Sequence, residues 1–168
     1  MVDFKRFQNL SGAPSKLSLE KTYLSINSNL AEMRLIVNSV SNYDQVFSVT
    51  DKYRLLYLGS LLYDFYMLCE DCLLNIARLT DKWVPASLDW HYRLLILMQS
   101  PVPEKRPPVL SSETAAQLGD YLCLYLNFHH QCSDLSPARI IKMTKELRPL
   151  FVQLERELFT INRLFSSQ

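Results

Sequence analysis

The chain predicts an all-α fold, an antiparallel up-and-down bundle of four to five helices. Three observations carry that prediction. Apolar residues recur at three- and four-residue steps over long stretches, the spacing of one helix face. Only three glycines occur in 168 residues, whereas sheet-rich folds spend glycine on turns and bulges. The clearest stripe, Leu55, Leu58, Leu62, Phe65, Leu68, Cys72 and Ile76, is widened by Leu61, Tyr66, Leu73 and Ala77. A helix that apolar belongs at the centre of a bundle. The length suits one domain with a real core, spanning residues 16–168 behind a loosely held arm at 1–15.

In that arm, Ser11-Gly12-Ala13-Pro14-Ser15 is a cluster of helix breakers. A first helix is predicted over Leu17–Val40, from Leu19, Tyr23, Ile26, Leu30, Met33 and Val37; Ser41-Asn42-Tyr43-Asp44 ends it. The central helix covers Asp51–Thr80. Gly59 inside it costs about 1 kcal/mol relative to alanine, which a long helix tolerates. A shorter helix fits Leu88–Gln99, with Ser87 or Asp89 as N-cap candidates. The stretch Ser100–Leu110 holds four prolines and reads as an extended surface crossover. A fourth helix starts at Ser111 or Ser112 and runs to about Cys132, with Glu113 favourable to the dipole of its first turn. Ser136 and Pro137 suit the cap and first position of a last helix, Ala138 to about Phe165. Pro149 lies within it and is expected to kink or divide it.

Composition narrows the function classes. Charged residues are 21% and the formal net charge is +1, so nothing pulls the whole molecule toward nucleic acid. An RNA contact requires a local patch. Arg139, Lys142, Lys145, Glu146 and Arg148 make one mixed, mildly basic face, ordinarily just solvated surface; Lys105-Arg106 joins it only if the crossover folds that way. No apolar run has the length of a membrane span, and the first residues lack the apolar segment of a signal peptide. The expected compartment is the cytoplasm, with no membrane partner and the four cysteines reduced. Cys69 and Cys72 form C-x-x-C in mid-helix, where core thiols are the better reading: zinc pairs sit in turns beside a second pair, and redox pairs sit at a helix start. No metal or cofactor is called for.

His129 and His130 are adjacent, so on a helix they point about 100° apart and cannot share one task. His130 reads either as a general acid or base near pH 7 or, with His129, as a pair favourable to a helix C-terminus. Glu70 reads either as an acid facing the His129–His130 region or as a polar residue at the rim of the core. Asp64 has the same two readings with less to favour the first. Trp90 reads as a plug between helices, and His91 as bonding to a nearby backbone group or acid.

These pieces resemble, in order and spacing, the HepT-like branch of the HEPN helical domains, a family of small ribonuclease toxins and their relatives. The central helix of that family has the pattern L-x-x-F-Y-x-x-x-E, then I-A and an Asp. Leu62, Phe65-Tyr66, Glu70, Ile76-Ala77 and Asp81 match it. The next helix carries W-H-x-x-L-L-x-x-M, matched by Trp90-His91, Leu94-Leu95 and Met98. A proline-containing crossover, an S-x-E-T start and a Y-L pair follow, as in Arg106-Pro107-Pro108, Ser111-Ser112-Glu113-Thr114 and Tyr121-Leu122. The last helix of the family opens on D-x-x-R; Ser136-Pro137-Ala138-Arg139 is similar, with Ser for Asp.

The resemblance implies a two-fold dimer whose late-helix motifs meet in one cleft. It also implies a nucleotidyltransferase antitoxin of the MNT type as partner and RNA as substrate. The catalytic motif of the family is Arg, four variable residues and His, often with a polar residue after the Arg and a Tyr two residues past the His. Here the His falls on His130, the Arg on Tyr125, the polar residue on Leu126 and the Tyr on Cys132. An Arg holds phosphate and offsets transition-state charge; neutral tyrosine does not. The expectation is therefore a degenerate ribonuclease site. The two further readings are a HEPN scaffold kept as an interaction subunit of a larger complex, and a residual enzyme or nucleotide binder that uses His130 with donors other than Arg.

Overall fold

The computed structural model describes residues 15–43, 52–129 and 136–166. Five helices stand among them: α1 (Lys16–Tyr43), α2 (Lys52–Ile76), α3 (Trp90–Gln99), α4 (Ser112–His129) and α5 (Pro137–Ser166). The described residues form no strand, only one isolated bridge between Val102 and Arg106. The predicted all-α bundle is the observed fold. The predicted arm at 1–15 and the predicted extension of the fourth helix to Cys132 fall almost wholly outside the described residues.

The stripe that marked the central helix is what places it there. Leu62, Phe65, Cys72 and Ile76 are completely buried, and α2 packs on α1, α3, α4 and α5. Phe65 shows the arrangement in one side chain: its ring meets Tyr121 of α4 at 5.7 Å and Phe151 of α5 at 6.4 Å. Ile26 and Met33 on α1 and Leu154 and Leu158 on α5 close the core from the other side.

The first helix runs on to Tyr43, through residues expected to end it, and the central helix is α only to Ile76 rather than Thr80. Three further features differ from the sequence-based expectation. The third helix starts at Trp90 rather than Leu88; Asp89 is its cap residue, but its side chain makes no capping bond. Its carboxylate instead accepts two bonds from Arg93 Nε, at 3.0 and 2.9 Å. Pro149 does not divide the last helix, which is continuous around it. Pro149 and Lys145, whose carbonyl loses its partner, both lie on the exposed side, where water can satisfy that carbonyl. At the other end of the helix, Arg139 and Ile140 donate to the Ser136 carbonyl, so α5 opens on Pro137 as its sequence suggests.

The third difference is larger. The proline-rich crossover is a closed turn, not an extended strap. Val102 and Arg106 exchange backbone bonds of 2.9 and 3.0 Å, with Glu104 in the left-handed region at φ 61°. Val109 and Leu110 then donate to the Met98 carbonyl at the end of α3 and bury their side chains.

Cys69 and Cys72 are core thiols, as the mid-helix position suggested. Both are buried, and Cys69 Sγ rests 3.4 Å from Met33 Sδ. Burial pushes the Cys69 thiol well above its ordinary value; burial also pushes Cys72 up to about 12, against a 3.6 Å bond from Asn29. Only a thiolate attacks an alkylating reagent, whereas Cys123 is exposed. In a Cys132→Ser background at pH 8, iodoacetamide followed by peptide mass mapping is therefore expected to label Cys123 in the folded protein. Cys69 and Cys72 should react only once denaturant is added.

Candidate functional site

Two polar clusters anchor the elements around α2. The first is built on Glu70. This residue sits on the core side of α2 and is only 6% exposed, so its charge needs partners. One carboxylate oxygen, Oε1, takes both. Tyr66, one turn earlier on α2, donates its hydroxyl at 3.0 Å. His91, in the first turn of α3, approaches with Nδ1 at 2.5 Å. In the tautomer that carries its proton on Nδ1, the imidazole donates to that oxygen.

Aromatic rings wall this cluster. Trp90 stacks on His91 with centroids 3.7 Å apart. From α4, Tyr125 lies 5.3 Å from the His91 ring, 5.3 Å from Tyr66 and 5.1 Å from Tyr63, on which it stacks. Burial and then the Glu70 charge push the Tyr125 hydroxyl up to about 12, and the same two causes raise Tyr66 further. Both phenols are neutral at physiological pH. The cluster thus joins α2, α3 and α4 through one carboxylate, one imidazole and packed rings.

The second cluster is an ion pair that the sequence reading did not assemble. The helix α2 ends in a π-turn, Ala77–Asp81, closed by Lys82 in the left-handed region at φ 54°. That turn presents Asp81 to Arg106 of the crossover. Arg106 Nε and one terminal nitrogen bind the two carboxylate oxygens at 2.8 and 2.7 Å, a bidentate pair with side chains 1% and 5% exposed. The remaining donors reach the carbonyls of Ser100, Pro107 and Leu97 at 2.8 to 3.2 Å. All five N–H groups of the guanidinium are used. Arg106 therefore does not belong to a basic surface patch. Prolines at 101, 103, 107 and 108 supply no backbone N–H, and the guanidinium serves the carbonyls in their place. Both residues stood in the quoted motifs, but 25 positions apart, with no periodicity to pair them.

The other predicted site residues distribute as follows. His129 is the last residue of α4, and His130 lies outside the described residues. Glu70 faces Tyr66, His91 and Tyr125, not the rim of the core. Asp64 is exposed on α2. On the basic face, Arg139 pairs with Asp120 at 3.6 Å and Lys142 with Glu146 at 3.8 Å. Arg148 binds Asn38 and Ser41 of α1. This is the solvated, mixed-charge reading of that face. Among the described residues, no group of three or more His, Cys, Asp or Glu is placed to hold a metal ion, and no helix is long and apolar enough to cross a membrane.

The fold and the cluster define an all-α helical bundle with a buried Glu–His–Tyr cluster at its centre. The model of the HepT-like protein family matches residues 57–164, well over half of the chain and nearly all of α2 to α5. The chain belongs to the HepT-like family. No curated protein matches it.

Proposed function

We propose that this is a HepT-like protein of a toxin–antitoxin or related defence system, with weak or absent ribonuclease activity. Its working form on this reading is a cytoplasmic homodimer. An MNT-type nucleotidyltransferase is its antitoxin partner and RNA its original substrate. One observation carries the loss of activity. On the ungapped alignment that puts the motif His at His130, Tyr125 takes the place of the motif Arg; in the structure it is packed among Tyr63, Tyr66 and His91 beside the Glu70 carboxylate. A neutral phenol next to a buried carboxylate offers a phosphate neither a counter-charge nor a bidentate donor.

The test is RNA cleavage by the purified protein at pH 7 with metal chelated, set against His130→Ala. The expected result is no cleavage above the His130→Ala background while both proteins are folded. Cleavage that the substitution abolishes sinks the reading and assigns His130 to a surviving site. A second reading, a non-enzymatic scaffold within a larger complex, draws support from apolar side chains left at the surface, Tyr53, Trp83, Leu88 and Ile96 among them. Co-purification from the native source separates the two, by whether a nucleotidyltransferase or an unrelated assembly comes with the protein.

A further inference from the structure

The last helix, α5, turns one face to solvent along its whole length. Counted at about 100° per residue, an arc of about 120° centred on Lys145 holds five exposed cations, Lys142, Lys145, Arg148, Arg156 and Arg163, and no acid. Between them stand Ile141, Val152 and Phe159, the last two 40% and 57% exposed. At the start of the helix, Pro137, Ala138 and Ile141 floor a shallow open recess rimmed by Lys142 and Lys145. The whole chain has a formal net charge of only +1, so this concentration of charge is local. Among the described residues Lys145 and Arg156 make no ion pair. Lys142 has an exposed 3.8 Å contact with Glu146, and Arg148 has the neutral partners Asn38 and Ser41.

The acids line the two edges of this face. Toward α1, Glu155 is bonded by Arg34. Toward α4 stand Glu146 and Glu157, the latter reaching the start of α4 through Ser111 and Thr114. On α4 itself are exposed Glu113 and Asp120, and Asp120 pairs with Arg139. The pairs Arg34–Glu155 and Asn38–Arg148 set α1 antiparallel to α5; Glu20 is then in register with the end of α5, and Glu32 lies on the opposite side of α1. These edges decide the occupant. A nucleic-acid duplex is wider than the face and sets phosphates against Glu113, Glu146 and Glu155. A single strand is held by a row of aromatic platforms, and the face has Phe159 alone. A second copy of the chain brings the same five cations, so the face repels itself. A helix about 10 Å wide fits between the edges. One with carboxylates beside a narrow apolar seam meets a cation or an apolar side chain at every turn.

We propose that the outer face of α5 docks an acidic amphipathic helix of another protein, its carboxylates on Lys145, Arg156 and the cations beside them and its apolar seam over Ile141, Val152 and Phe159. This surface shares no residue with the Glu70 cluster and needs neither a homodimer nor a loss of ribonuclease activity.

Fluorescence anisotropy on the full chain tests it. The probe is a fluorescein-labelled peptide of three heptads with leucine at the seam positions, glutamate beside them and alanine elsewhere. The same peptide with lysine for glutamate and a labelled single-stranded RNA are the competing probes. The acidic peptide is expected to bind wild type with a dissociation constant of about 10–100 μM, and the lysine peptide not to bind. Lys145→Glu with Arg156→Glu is expected to weaken binding about 10-fold or more, and Val152→Ser with Phe159→Ser about 5-fold. Lys21→Glu with Lys52→Glu makes the same charge change at exposed positions of α1 and α2 and should stay within about 2-fold of wild type. Circular dichroism checks folding, and Lys145→Ala with Arg156→Ala replaces the charge reversal if that variant unfolds. No binding of the acidic peptide overturns the proposal, as does equal loss in the control variant. An unchanged affinity in the Val152 and Phe159 variant reduces the contact to unspecific charge and overturns it too. RNA bound more tightly than the peptide, and lost in the same variants, assigns the face to nucleic acid instead.

Discussion

Replacing Asp81 by Ala is expected to lower unfolding free energy by about 3–5 kcal/mol, measured by urea denaturation. Globular domains are stable by only about 5–15 kcal/mol, so this is a large share. The cause is the charge left behind. Arg106 has a 1% exposed side chain and gives two of its bonds to Asp81; without that carboxylate it is a buried, unpaired cation. Asp81→Asn keeps one acceptor and is expected to cost less. The double variant Asp81→Leu with Arg106→Met removes both charges and should recover part of the loss. Recovery stays partial, because the carbonyls of Ser100, Pro107 and Leu97 also lose their donor. If Asp81→Ala melts with wild type, the ion pair does not hold the crossover to the π-turn.

Glu70→Ala carries the second large effect, a loss of roughly 3 kcal/mol by the same measurement. It leaves the Tyr66 hydroxyl and His91 Nδ1 without their shared acceptor in a buried place. Glu70→Gln retains an amide oxygen for one of the two donors and should cost about half as much. A double-mutant cycle with His91→Ala is expected to show a coupling of about 1 kcal/mol or more, the range for residues in direct contact. Coupling near zero means that the short His91–Glu70 contact contributes nothing to holding α3 on α2.

Much of the cluster was legible as separate residues. Glu70 stood at an acidic position within an apolar stripe, and His91 beside a tryptophan at a helix start. Tyr125 lay at the place where the resemblance wants an arginine. What no spacing states is that the imidazole of α3 and a tyrosine of α4 converge on that one carboxylate of α2. The distance between sequence positions 70, 91 and 125 is bridged only by the packing of three helices.

Periodicity decided the helices, because an apolar stripe at 3.6 residues per turn is buried only when the segment is helical and lays that face on the core. That is why the five elements, the central place of α2 and the core thiols follow from the chain by itself, together with membership of the HepT-like family. The ends of elements and the polar contacts followed a different rule. Whether Pro149 breaks a helix depends on which side faces water, and whether Asp89 caps one depends on an arginine four residues away. Whether Arg106 lies on the surface or inside depends on an aspartate at the end of another element. Such groups have several competent partners each in an unfolded chain, and the choice among them falls to the tertiary structure, which makes one partner near and removes the water that would otherwise serve.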